Sequence, residues 1–305
     1  MKLVSYESER GWRSGIQLFQ QVVDAAYAAK EAGFTDREDW SSTRRLLGLT
    51  AAELRKLEQT AMDIAARTDA DDPVFSLGSI TLGPPIPDPE KIVCLGLNYL
   101  DHAKEANLEL PKAPMLFAKY RNSLVGPKEE IVLPTISDVV DYEAELAVVI
   151  GKRGKNISEQ DALTYVAGAM ALNDVSARDV QTQTSQWMAG KAIDTFAPCG
   201  PALVTMDEIP DIQNLGIVCR VNGQVVQQAN TSLMIFSVAY TISYISQLMT
   251  LEPGDIIATG TPAGVGFKRN PKVLLHDGDV VEVEIERIGT IRNPVVESRP
   301  AFAHQ

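Results

Sequence analysis

The chain reads as an α+β protein, with a smaller N-terminal α+β part followed by a β-rich domain. Three observations predict this. Helix-type periodicity is concentrated before residue 70, a polar, proline-rich stretch follows, and beyond it the sequence breaks into short β-branched runs set off by Gly and Pro. Those runs are not separated by regular helices, which disfavours a doubly wound parallel fold and favours an antiparallel or mixed sheet. The 305 residues suffice for two cores. We place the two domains at residues 1–85 and 86–305.

In order along the chain, KLVSYE has the composition of a short strand, and residues 15–33 (GIQLFQQVVDAAYAAKEAG) and 50–67 (TAAELRKLEQTAMDIAAR) predict two helices. Thr50 and Glu53 match a capping box, in which hydroxyl and carboxylate each satisfy a free amide of the first turn. Prolines fix the backbone and remove donors between Asp69 and Asp88, where the domain boundary is expected. Strand-like runs follow in KIVCLGLNY, AELAVVIG, IVCRVNGQVV, DIIATG and DVVEVEIERIG. Asn222-Gly223 between two β-branched runs is a strong hairpin signal. Pro253-Gly254-Asp255 and Asp277-Gly278-Asp279 are turns leading into strands.

Composition excludes several classes of function. Twenty-eight basic residues against forty acidic ones give a net charge of −12, so the whole-molecule field repels nucleic acid and anionic lipid. No apolar run reaches the roughly 20 residues that span a bilayer, and no secretory signal precedes the first strand, which predicts a cytoplasmic protein that engages neither nucleic acid nor membrane. Cys94, Cys199 and Cys219 are odd in number and form no CxxC pair, so they are expected to be reduced and buried.

Carboxylates carry the chemical signal. In DYEAELAVVI, residues 141–150, strand alternation puts Asp141, Glu143 and Glu145 on one face, continued by Ala147 and Val149. Like charges so close need a compensating cation, or else the face lies in water. Asp174, at the end of the apolar run VAGAMALN, offers a further oxygen or serves as a turn residue. Oxygen ligands without Cys or His favour Mg²⁺, Mn²⁺ or Ca²⁺ over zinc. His102 stands three residues before Glu105, a spacing at which the carboxylate can orient the ring as a general base, although the pair can equally be an incidental surface contact. His276 and His304 are expected to be solvated. Lys191, in QWMAGKAIDTFAPCGP, is by itself no more than a surface charge. GTPAGVG, residues 260–266, follows a strand but opens no helix, so it is not a phosphate loop.

Together these segments resemble the fumarylacetoacetate hydrolase family over roughly residues 88–296. GLNYLDHAKEA is similar to the family's GxNYxxHxxE segment and YEAELAVVIGK to its ExE metal strand. LNDVSARDVQ is similar to its aspartate followed by Arg-Asp-x-Gln, GKAIDTFAPCGP to its lysine segment, and the stretch ending in DIIATGTPAGVG to its C-terminal signature. The resemblance implies a β-rich pseudo-barrel or roll, a homodimer, and Mg²⁺ or Mn²⁺ held by Glu143, Glu145 and Asp174. It further implies that His102 with Glu105 is a base dyad on a segment that orders over substrate, and that Lys191 compensates negative charge. Arg178, Gln181 and Thr261 would contact a small anionic oxo acid. Leu97 stands where some acylpyruvate-cleaving members carry a basic residue. The activity implied is hydrolysis of a C–C bond in an acylpyruvate-like or sugar-derived 2,4-dioxo acid. Oxaloacetate decarboxylation is the alternative, then a lyase reaction such as ureidoglycolate cleavage, and finally a silent metal-binding scaffold.

Overall fold

The computed structural model describes residues 1–34, 39–67, 72–101 and 110–298. The chain opens with β1 (Lys2–Ser8), β2 (Gly11–Leu18) and β3 (Gln21–Asp24), an antiparallel meander in which Leu18 pairs with Gln21 across a tip of Phe19 and Gln20. The helix expected over 15–33 therefore forms only in its second half, as α1 (Ala25–Glu31). Ile16, Val22 and Val23 are β-branched and suit a strand as well as a helix, and pairing of β2 with β1 and of β3 with β2 settles the choice. The overlooked punctuation is Asp24, whose Oδ1 accepts from the Tyr27 amide and starts the helix there.

A short turn, α2 (Thr43–Leu46), precedes α3 (Ala51–Ala65), which carries the expected capping box: Thr50 Oγ1 accepts from Glu53 N at 3.3 Å and Glu53 Oε2 from Thr50 N at 2.7 Å. The proline-rich stretch contributes β4 (Val74–Ser76), paired to β3, and β5 (Leu82–Gly83), paired to β1. Then come β6 (Ile92–Gly96), β7 (Met115–Lys119), β8 (Leu124–Val125), β9 (Ile131–Leu133), β10 (Val140–Asp141) and β11 (Ala144–Ile150). After β12 (Val166–Asn173) and β13 (Ser176–Ala177), two four-residue helices follow, α4 (Arg178–Gln181) and α5 (Met188–Lys191). The chain ends with β14 (Ala197–Thr205), β15 (Gly216–Val221), β16 (Gln224–Asn230), α6 (Val238–Leu248), β17 (Ile256–Ala258), β18 (Val280–Ile285) and β19 (Gly289–Glu297). Asn222 and Gly223, both at positive φ, make the expected hairpin turn between β15 and β16.

The long sheet runs β4-β3-β2-β1-β14-β12-β11-β17-β6-β7, with β5 and β8 on side branches, and a second sheet runs β16-β15-β18-β19-β9. The N-terminal strands join the long sheet through β1, where Lys2 and Leu3 pair with Val204 and Leu203 of β14. One face of the long sheet packs Ala147, Val149, Met170 and Leu172 with Ala28, Leu57, Ala61 and Ile64 of α1 and α3. The other packs Leu146, Val148 and Ile150 with Val281, Val283 and Ile291 of the second sheet. Strand β11 is buried on both faces along its whole length, as the apolar run of residues 146–150 requires, with Glu145 buried beside it. Among the described residues no helix is long and apolar enough to cross a membrane.

Candidate active site

Where β11 begins, the apolar run gives way to carboxylates, and the fold buries them: Asp141 and Glu145 are 0% exposed and Glu143 6%. A solvated acidic strand face is thereby excluded. Alternation along the strand carries Glu143 and Glu145 toward Asp174, which sits just past the end of β12, and one carboxylate oxygen from each lies within 4.8 Å of the others. The Asp174 amide donates to the Glu143 carbonyl, so the backbone itself fixes the spacing of the two carboxylate residues.

Three cations meet this cluster. Lys191 Nζ bridges Glu143 Oε2 at 2.8 Å and Asp174 Oδ2 at 2.7 Å, and lies 5.1 Å from the centre of the Phe117 ring. Arg178 spans Asp141 Oδ1 through Nε and Glu143 Oε1 through Nη2, both at 2.6 Å, and its Nη1 donates to Gln181. Lys119, at the end of β7, donates to Asp174 Oδ1 at 2.6 Å and to the Val175 carbonyl. Burial opposes the charge on Arg178 and Lys191, but Asp141 and Glu143 in one case, and Asp174 and Glu143 in the other, outweigh it and hold both pKa values above the usual range. For Lys119 burial prevails and the ammonium is pushed down.

Glu145 differs from its neighbours. Its Oε2 accepts from the Gly260 amide at 2.8 Å, while Oε1 is buried with no hydrogen-bond partner. Burial first, then the Asp174 and Glu143 charges, push its carboxyl well above the carboxylate range. An orphaned carboxylate oxygen inside an all-oxygen ligand set is what a hard dication would satisfy, so Glu143, Glu145 and Asp174 fit Mg²⁺ or Mn²⁺. The GTPAGVG segment serves this set through Gly260, whose φ of 94° presents its amide to Glu145. A Cβ there would stand 2.7 Å from that of Asn98.

Over the cluster opens a cavity of about 270 Å³, lined at its inner end by Glu143, Arg178, Gln181, Lys191 and Thr261, and walled by Leu95, Leu97, Phe117 and Trp187. Every described residue expected to contact metal or substrate is thus brought to one place, and Leu97 takes its place in the wall. His102 and Glu105 lie outside the described residues. Two residues escaped the sequence reading. Lys119 ends an unremarkable strand, and nothing in MLFAKY marks it. Gln227 accepts from Ala144 N and donates to Thr261 Oγ1, tying β16 to the start of β11 and fixing the threonine.

A roll-like mixed fold with a buried acidic set able to hold a metal ion, and a lysine and an arginine under a small cavity, is the arrangement of a fumarylacetoacetate hydrolase-class enzyme. The family profile described as fumarylacetoacetate (FAA) hydrolase C-terminal matches residues 91–296, and the chain belongs to that family, whose members include hydrolases, isomerases and tautomerases. A Xenopus laevis protein named oxaloacetate tautomerase fahd2, mitochondrial, is 49% identical over 247 residues, covering 80% of this chain and 77% of that protein. The fumarylacetoacetate hydrolase structure from Exiguobacterium antarcticum has a TM-score of 0.79 at 34% identity, and 5-carboxymethyl-2-hydroxymuconate delta-isomerase from Mycobacterium smegmatis 0.74 at 32%. Each alignment covers 98% of this chain and all of the other.

Proposed function

We propose that this chain interconverts the keto and enol forms of oxaloacetate or a closely similar 2-oxo acid. The observation that carries the proposal is the placement of Lys191 and Arg178, each ion-paired to the ligand carboxylates, in the lining of a cavity sized for a four-carbon acid. The relatives named as oxaloacetate tautomerases support it over the C–C hydrolysis expected from the motifs.

A dication on Glu143, Glu145 and Asp174 would supply Lewis-acid polarisation of the 2-oxo group. The chain's own residues account for the rest. Lys191 and Arg178 receive the acid's negative charge and favour the charge that grows on O2 as the C3–H bond breaks. His102, with Glu105 as the orienting partner that the family resemblance implies, is the proposed base that takes the C3 proton. The C2=C3 bond forms, O2 gains a proton from solvent, and the imidazole returns its proton to water, so no oxidation or bond cleavage between carbons is needed. The homodimer implied by the family resemblance belongs to the same proposal.

The test is metal-stripped protein resupplied with Mg²⁺ or Mn²⁺ and given oxaloacetate, following enol absorbance and pyruvate formation separately, with acetylpyruvate in parallel. Accelerated enol–keto exchange without pyruvate supports the tautomerase. Metal-dependent pyruvate from oxaloacetate turns the assignment to decarboxylation, and cleavage of acetylpyruvate to hydrolysis. Tight metal binding without any turnover leaves only a binding scaffold.

A further inference from the structure

The cations at the inner end of the cavity are matched by carboxylates, but the mouth holds a lysine that is not. Lys268 lines the cavity beside Phe267, is exposed, and pairs with no carboxylate among the described residues; its recorded contact is with the Phe267 ring, 5.2 Å from the centroid. The wider segment is unusual in so acidic a chain. From Ile256 to His276 there is no Asp or Glu, while Lys268, Arg269 and Lys272 all fall there. Arg269 is spent on the Gly264 and Val226 carbonyls, and Lys272 faces Phe267 at 4.9 Å. The mouth is therefore a local positive edge on a molecule whose overall charge is −12.

A 2-oxo acid whose reactive end meets Lys191 and Arg178 points its other end outward between the walls of Trp187, Phe117 and Phe267. A methyl group there would meet aromatic and aliphatic surface; a carboxylate would meet an ammonium that has no internal partner to give up, so the contact costs no broken ion pair. We propose that Lys268 is a specificity residue that reads the distal carboxylate and selects dianionic over monoanionic 2-oxo acids. This rests on the functional reading above and refines it.

The test uses two analogues that lack a C3 hydrogen and cannot enolise, 3,3-difluorooxaloacetate and trifluoropyruvate, titrated calorimetrically into Mn²⁺-supplied protein. Lys268→Met is expected to weaken the dianion about three- to fivefold, the range of a partly exposed ion pair, and Lys268→Glu by about tenfold. Lys268→Arg keeps the affinity, trifluoropyruvate binding is unchanged in all three, and the dianion's preference shrinks as salt is raised. Equal losses for both ligands, or none for either, overturn the proposal. Neither analogue can enolise, so the outcome is separable from the proposed exchange activity. Selective loss of the dianion in a protein that does not interconvert oxaloacetate keeps Lys268 and sinks the tautomerase. Exchange activity with unaltered dianion binding in the variants does the reverse.

Discussion

At the scale of single residues, the sequence pointed to groups that the fold brings together but not to how their charges are balanced. Glu143 and Glu145 could be named from strand alternation and Asp174 from its place at the end of an apolar run, while Arg178 and Lys191 came only from the family resemblance. Lys119 could not be named, since a lysine at the end of a short strand is ordinarily a solvent charge, and only tertiary packing puts it on Asp174. The cysteines show the opposite case, expected to be buried and found so. Desolvation pushes the thiol pKa of Cys94, Cys199 and Cys219 far above the usual thiol range. A thiol whose pKa is higher folded than unfolded contributes stability that is complete below about pH 8.5, its unfolded value, and is lost as pH rises beyond it. Native protein at pH 8 should therefore resist Ellman's reagent and release three equivalents on unfolding. Its unfolding free energy from urea titration should fall between pH 7.5 and 9.5, by up to about 1.4 kcal/mol per pH unit for each thiol. A variant with all three cysteines replaced by alanine should show a flatter pH dependence, and an equal slope would remove the thiols as the cause.

At the scale of elements, patterning failed where two periods coexist. Residues 15–24 are compatible with both helix and strand, and only the pairing of β2 with β1 and of β3 with β2 decides, whereas Thr50-x-x-Glu53 and Asn222-Gly223 carry their geometry locally and were read correctly. The two four-residue helices α4 and α5 carry Arg178 and Lys191 into the cavity lining. Gly190 packs α5 so tightly against its neighbours that a Cβ would stand 2.5 Å from both the Ala177 carbonyl oxygen and the Gln181 amide. Those are backbone atoms and cannot swing aside. Gly190→Ala is expected to push α5 off α4, displace Lys191 from Glu143 and Asp174, and destabilise by roughly 1–3 kcal/mol. Turnover should fall more steeply than stability, and a variant with native kcat at 25 °C would show that the close approach does not position the lysine.

At the scale of the whole molecule, the composition shift near residue 85 marks a change of architecture within a shared core. Met1, Leu3, Ile16, Leu57 and Ile64 from before it pack in one cluster with Cys94, Ala147, Met170, Cys199 and Leu203 from after it. Removing the first 85 residues would uncover that face of β11, β12 and β14. The fragment 86–305 is expected to aggregate or to lose a cooperative thermal transition, even though it retains every proposed site residue. A monodisperse fragment with a sharp melt would show that the shared cluster is dispensable.

The burial of β11 on both faces has a kinetic counterpart. Its amides lie between β12 and β17, under two packed layers, so local fluctuations offer them no route to solvent. Their deuterium uptake would report the global opening of the molecule, and Glu145, which rides on that strand, would keep its place until the whole fold gives way.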